Sequence, residues 1–121
     1  MTEEERNLVL IDVAARLPYG VICAMGKKED ALFTERLLPA GFNEFMSGNW
    51  VVKPYLRPMS SLTDKEKKEY KDYLNSFEGK LIGFQGRTIW VIDFLISHHI
   101  DYRGLIEKGL ALEAEEGMYE S

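Results

Sequence analysis

The chain has 121 residues, of which 45% are hydrophobic and 12% aromatic. This length and composition predict one folded domain over residues 1 to 121 and exclude a disordered chain. The formal net charge is −5, which disfavours a nucleic-acid partner because a negative surface repels the phosphate backbone. Cys23 is the only cysteine, so the chain can form neither an intrachain disulfide nor a cysteine metal cluster.

The N-terminus indicates a cytoplasmic protein. Residues 3 to 5 are all glutamate, whereas a secretory signal peptide would be basic there. No apolar run approaches the roughly 20 residues that span a bilayer. We therefore expect no membrane association.

The first element is predicted to be a helix over residues 2 to 17. Thr2 and Glu5 have the spacing of a capping box, and the apolar residues that follow recur three and four positions apart, which indicates one buried stripe. The stripe consists of Leu10, Val13, Ala14 and Leu17. The apolar run at residues 21 to 25, which is bounded by glycines, predicts a strand buried on both faces.

The middle of the chain carries weaker patterns. Residues 31 to 38 fit either a second strand or a short helix, and we favour the strand. Residues 39 to 41, which include a proline and a glycine, are predicted to close it. Residues 51 to 56 predict another strand. Pro54 has no backbone donor, which favours an edge strand, or a strand that runs into an ordered loop, over a central one.

Two further helices are predicted in the second half. Thr63 and Glu66 repeat the capping signature and begin a helix over residues 63 to 76. A short strand at residues 80 to 84 and a turn at residues 85 to 87 would follow. Thr88 is then expected to cap a helix that runs to residue 99. Its residues 89 to 96 are apolar around most of the circumference, so we expect this helix to be the central buried one.

These elements predict an α+β fold, in which a small, mainly antiparallel sheet packs against about three helices. The segment from about residue 113 to 121 is acidic. It is predicted to be a short tail with little to pack against.

Several reactive side chains lie at the C-terminal end of the last predicted helix. They are His98, His99, Asp101, Tyr102 and Arg103. One histidine paired with Asp101 could act as a general base, and Arg103 could clamp an anion. The alternative, which we favour, is structural: a histidine bonds the last free carbonyls of the helix, and Asp101 pairs with Arg103. Adjacent histidines point about 100° apart on a helix, so we expect no metal site.

Three further side chains could in principle act as nucleophiles, but a structural role explains each of them. Cys23 lies in an apolar run that is predicted to be part of the core, where a buried thiol is unreactive. Ser60 and Ser61 come just before a helix cap, where hydroxyls are expected for capping alone. The glycines form neither a dinucleotide loop nor a phosphate loop, so no cofactor is predicted.

The region from residue 42 to 59 is rich in aromatic and methionine side chains, which are enriched at protein interfaces. The predicted binding residues are Phe42, Phe45, Trp50, Tyr55 and Met59. The alternative is a long loop folded over the core. If the region is a partner surface, homodimerisation is the form we favour.

Three stretches of the sequence resemble a known group when taken together. They read ARLPYGV at residues 15 to 21, VKPYLRPMSS at 52 to 61 and HHIDYRGLI at 98 to 106. The chain resembles small uncharacterised proteins of Bacteroides-type gut bacteria and of their phages and prophages. The resemblance implies a bacterial or phage setting and assigns no activity or site residue.

The sequence therefore favours a non-catalytic protein-interaction or accessory protein of phage or mobile-element type, with a protein partner or self-association. The alternative is a small hydrolase or nuclease-like enzyme that uses His98 or His99 with Asp101 and Arg103. Nucleic-acid binding would require four arginines to converge on one face. They are Arg16, Arg57, Arg87 and Arg103.

Overall fold

The computed structural model describes residues 1 to 76 and 84 to 119. Within these ranges the helices are α1 (Glu3–Arg16), α2 (Pro39–Met46), α3 (Asp64–Ser76) and α4 (Phe84–Ser97). The strands are β1 (Ile22–Gly26), β2 (Phe33–Arg36), β3 (Val51–Leu56) and β4 (Leu112–Glu113). The predicted α+β class is confirmed. None of the described helices combines the length and apolar character that a bilayer crossing requires.

The strands form one mixed sheet in the order β2, β1, β3, β4. β1 pairs antiparallel with β2 and with β3, and the short β4 pairs parallel with β3. All residues of β1 except Ile22 are buried, which confirms the predicted core strand. Residues 33 to 36 form β2, which confirms the preference for a strand between residues 31 and 38.

β3 is a central strand, so the prediction of an edge strand was wrong. The reason lies in the alternation of hydrogen bonds along an antiparallel pair. The Leu37 N–H donates to the Val21 carbonyl at 2.8 Å, so Cys23, two residues on, also directs its backbone groups toward β2. Pro54 lies opposite Cys23 on the other side, at a position where β1 requires no donor. Pairing with β4 begins one residue later, at Tyr55.

Helix α2 was missed because Pro39 was interpreted as a terminator. In the structure Pro39 lies in the first turn of α2, where a missing N–H is not needed. Gly41 allows the helix to approach its neighbours closely. A Cβ there would lie 3.2 Å from Leu37 Cδ1 and 3.4 Å from the Trp50 ring.

The larger core, which we call the sheet cluster, packs α1 and α2 against one face of the sheet. Its buried members are Val9, Val13, Val21, Cys23, Met25, Leu37, Phe45, Val52, Leu56, Leu105, Leu110 and Ala111. The stripe predicted for α1 is buried at Val13, and its members Leu10 and Leu17 pack partly buried against the cluster, but Ala14 is exposed. The buried face of α1 instead includes Asp12 and Arg16, which form a buried ion pair.

The smaller core, which we call the helical cluster, lies between α3 and α4. Its members are Phe94, Leu95 and Ile100, with Leu62, Tyr70, Trp90, Val91 and Tyr102 packed against them. The described side chains of α4 begin at Trp90; among them Phe94, Leu95 and Ile96 are buried, whereas Asp93 is exposed. The helix begins at Phe84 rather than Thr88, so the turn predicted at residues 85 to 87 was wrong. The predicted strand at residues 80 to 84 lies outside the described residues except for Phe84.

The predicted C-terminal tail does pack. Residues 112 and 113 form β4, and the Ala114 N–H donates to the Leu56 carbonyl at 2.8 Å. Farther on, the Tyr119 hydroxyl accepts from the Ile22 N–H at 2.8 Å and donates to the Tyr55 carbonyl at 2.7 Å. Tyr119 thus bridges β1 and β3 just beyond their last paired residues, Cys23 and Pro54.

Candidate functional site

The predicted histidine cluster lies where the chain leaves α4, and each member has a contact of its own. Helix α4 ends at Ser97. His99 then takes a left-handed backbone conformation with φ of 59°, which sends the two imidazoles to different neighbours. Among the described residues, no group of three side chains is placed to hold a metal ion.

His98 is bound to helix α3 through Glu66. Its Nδ1 lies 3.0 Å from Glu66 Oε2, and its ring packs against Phe94 at 4.5 Å between centroids. Arg57 holds the same carboxylate with two bonds, of 2.6 and 2.8 Å. These bonds, together with the Thr63 N–H, lower the pKa of Glu66 to about 2. Glu66 thus joins the start of α3 to the end of β3 and the end of α4, and it confirms the predicted capping box with Thr63.

His99 is buried, with 4% of its surface exposed. Its Nε2 lies 3.0 Å from the Tyr19 carbonyl, and its ring stacks on Tyr119 at 3.9 Å between centroids. A carbonyl can only accept, so Nε2 carries the proton. Burial, followed by the nearby charge of Arg16, lowers the pKa of His99 to about 4. At neutral pH it is therefore an uncharged, packed ring.

Arg103 and Asp101 do not form the ion pair predicted between them. Asp101 instead accepts from the backbone N–H groups of Leu105 and Ile106, each at 2.9 Å, and so caps the turn that follows. Arg103 reaches back to helix α1, where its Nε lies 3.3 Å from Asp12 Oδ1. The four candidate residues of this segment thus each contact a different part of the fold. They are His98, His99, Asp101 and Arg103.

The most deeply buried ion pair of the described residues was not predicted from the sequence. Arg16 and Asp12 are 0% and 1% exposed and are joined at 2.9 and 3.2 Å. Arg16 also donates to the Ile100 carbonyl at 2.7 Å, and its guanidinium lies over the Tyr102 ring. The available signal was an acid and a base four residues apart on the apolar side of a helix, a spacing that places them together.

Three of the four arginines considered for nucleic-acid binding have described side chains, and each of the three is paired with a carboxylate. The side chain of Arg87 lies outside the described part of the structure. Arg16 is buried against Asp12, Arg57 is bound to Glu66, and Arg103 pairs with Asp12.

Two of the three candidate nucleophiles, Cys23 and Ser61, occupy structural positions. Cys23 is fully buried, and burial raises the pKa of its thiol to about 12, so it remains protonated. The Ser61 hydroxyl donates to the Pro58 carbonyl at 2.7 Å. Ser60 is exposed in the short helix Met59–Ser61.

The five residues predicted for binding differ in their exposure. Phe45 is 1% exposed and belongs to the sheet cluster, so it is not available to a partner. Phe42 and Trp50 are half-buried against that cluster. Tyr55 is half-buried, and its hydroxyl lies 3.3 Å from that of Thr34. Met59 is 50% exposed.

Trp50 also lines a cavity that opens beside the β1–β2 turn. The cavity has a volume of about 390 Å³. It is lined by Gly26, Lys27, Lys28, Ala31, Phe33 and Trp50. Phe33 meets Trp50 edge to face, with 5.5 Å between ring centroids. We call this site the Phe33–Trp50 cavity.

Phe33 also begins the strand at the edge of the sheet. All four residues of β2 are exposed, and β1 is the strand's only partner in the described sheet. Hydrogen bonds alternate along β2, and those of Leu37 point toward β1. The backbone N–H and C=O groups of Thr34 and Arg36 therefore point away from β1. This side of β2 is called the outer edge below.

No protein-family model matches this chain, and neither a curated protein nor a solved structure shows detectable similarity to it.

Proposed function

We propose that this chain is a non-catalytic protein-interaction protein that acts as an accessory factor of a phage or mobile element and binds its partner at the outer edge of β2. The observation that carries the proposal is the exposed strand beside the Phe33–Trp50 cavity. An open strand edge offers unpaired backbone groups to an added strand. An adjacent apolar cavity gives that strand a place for one side chain.

The state of the candidate catalytic residues supports a binding role over an enzymatic one. His99 through Nε2, Asp101 through both carboxylate oxygens and Arg103 through Nε make contacts that hold the fold together. The buried thiol of Cys23 is protonated at neutral pH. The phage or mobile-element setting comes from the sequence resemblance alone.

The test is an affinity capture from bacterial lysate with three matched baits. They are the unchanged protein, Phe33→Glu and Ile11→Glu. Phe33 and Ile11 are 42% and 57% exposed, so both changes place a carboxylate on the surface, and only the first lies at the cavity. We expect a stoichiometric partner on the unchanged protein and on Ile11→Glu, and its loss on Phe33→Glu, because the new charge would lie buried in the interface.

Capture that is the same for all three baits, or no capture at all, would refute binding at this edge. Light scattering on the purified proteins identifies self-association in the same experiment, since a dimer doubles the mass. Circular dichroism of each bait checks that it is folded.

A second candidate function is the small hydrolase or nuclease-like enzyme, and one observation favours it. The His98 ring is held by a carboxylate through Nδ1, as in a general base, and its side chain is 29% exposed. In this version Glu66 takes the orienting role predicted for Asp101. His98→Ala as a fourth bait separates the two functions. A binding protein keeps its partner when His98 is removed, whereas the enzyme loses its activity.

A further inference from the structure

We infer that the segment bound at the outer edge is an extended, acidic peptide that places one large apolar side chain in the Phe33–Trp50 cavity. This inference rests on the proposed function and names the chemical class of its partner. Three features of the site carry it: the direction of the free backbone groups, the shape of the cavity and the charges at its rim.

The free backbone groups select an extended partner. Thr34 and Arg36 are two residues apart, and both direct an N–H and a C=O outward from β2. Only another extended chain matches that spacing with alternating donors and acceptors. A helix satisfies its own backbone groups and would leave those of β2 unpaired.

The cavity selects one large apolar side chain. Its volume of about 390 Å³ is at the small end of the range for ligand sites. The Phe33 and Trp50 rings stand at 89° to each other, so an inserted ring can meet the edge of one and the face of the other. Because Phe33 is both the first residue of β2 and a wall of the cavity, a strand added to β2 passes directly beside it.

The rim of the cavity selects carboxylates. Lys27 and Lys28 line it, both are exposed, and neither forms an ion pair within the described ranges. Glu29 in the same turn is paired with Lys53 at 3.1 Å, which leaves Asp30 as the unpaired acid of the turn beside two lysines, while Glu35 and Arg36 on β2 carry opposite charges. The rim is thus positive on a protein whose net charge is −5, and it attracts an acidic segment.

The experiment measures binding of three short fluorescent peptides by anisotropy. The probe is acetyl-Glu-Thr-Val-Phe-Val-Asp-Glu-amide. One comparison peptide has lysine in place of each acidic residue, and the other has glycine in place of phenylalanine. We expect the probe to bind at least about tenfold more tightly than either comparison peptide, because each of them lacks one of the two selected features. Binding of the probe should also weaken as salt is raised.

Two pairs of protein variants locate the site. The double change Lys27→Glu with Lys28→Glu is matched by Lys65→Glu with Lys67→Glu on α3, where both lysines are also exposed. Phe33→Ser is matched by Ile11→Ser. We expect the first member of each pair to weaken probe binding at least about tenfold and the second to leave it unchanged.

The outcomes separate this inference from the proposed function. Absence of probe binding, or equal binding of the lysine peptide, overturns the acidic peptide as ligand. The proposed function survives that result if the captured partner still depends on Phe33. A dimer that dissociates in Phe33→Glu would instead identify a second copy of this chain as the occupant and would also overturn the inference.

Discussion

The buried His99 imidazole contacts the Tyr19 carbonyl and the Tyr119 ring, and the Arg16 guanidinium is close enough to affect its protonation. Its pKa falls from 6.5 to about 4 on folding, so the unfolded chain binds a proton at this residue more readily than the folded chain does. The lowered pKa of His99 therefore gives the folded state a contribution to stability that is fully present above pH 6.5. It is lost as the pH falls from 6.5 toward 4, and it amounts to at most roughly 3 kcal/mol.

We predict that His99→Gln reduces the loss of stability between pH 7 and pH 4.5, because glutamine does not titrate. Urea unfolding of the unchanged protein and the variant at both pH values measures this difference. Glu66 affects stability over a different pH range. Because its pKa is lowered from 4.5 to about 2, its protonation destabilises the folded chain only as the pH falls below 4.5. The prediction fails if the two proteins lose equal stability over this range. His98→Gln is the control for removing an imidazole from the same segment.

Tyr119 connects β1 and β3 just beyond the residues through which the two strands pair. Its ring covers His99, and its hydroxyl bridges the Ile22 N–H and the Tyr55 carbonyl. Burial raises the pKa of this hydroxyl, which keeps it protonated and able to donate to Tyr55.

We predict that Tyr119→Phe lowers the free energy of unfolding by about 1 to 3 kcal/mol, because it leaves two partly buried backbone groups without their partner. The control is Tyr19→Phe, whose side chain is 46% exposed and which should cost less than about 0.5 kcal/mol. Urea denaturation at neutral pH measures both. Equal effects of the two changes would show that the hydroxyl bridge contributes nothing.

The elements that could be predicted from sequence are those whose signals are local. Both capping boxes form as expected, at Thr2 with Glu5 and at Thr63 with Glu66, because donor and acceptor lie within one helical turn. The central position of β3 could not be predicted, since it depends on β4, more than fifty residues farther along the chain. The contact partners of the histidine segment could not be predicted for the same reason. The partner of Arg103 is Asp12, 91 residues away.

Among the described residues, charged side chains join the sheet cluster to the helical cluster. Asp12 on α1 binds both Arg16 and Arg103, and Arg16 in turn holds the carbonyl of Ile100, a member of the helical cluster. The ion pair is buried, so removing one partner leaves the other charge without compensation.

We predict that Asp12→Asn lowers the free energy of unfolding by about 3 to 5 kcal/mol, the usual cost of breaking a buried pair. Glu29→Gln is the matched control, because it breaks an ion pair with Lys53 in which Glu29 is 65% exposed. Such a pair contributes at most about 1 kcal/mol. Thermal and urea unfolding measure both variants. A small effect of Asp12→Asn would mean that Arg16 and Arg103 find other acceptors.

The chain has two tryptophans, and the fold places one against each cluster. Trp50 packs against the sheet cluster and Trp90 against the helical cluster. Intrinsic fluorescence can therefore follow the two cores separately: Trp90→Phe leaves emission from the sheet side only, and Trp50→Phe leaves emission from α4. Because Trp50 also lines the cavity, its emission spectrum should shift when a side chain fills that space. One variant, Trp90→Phe, would then report both unfolding and occupancy without an added label.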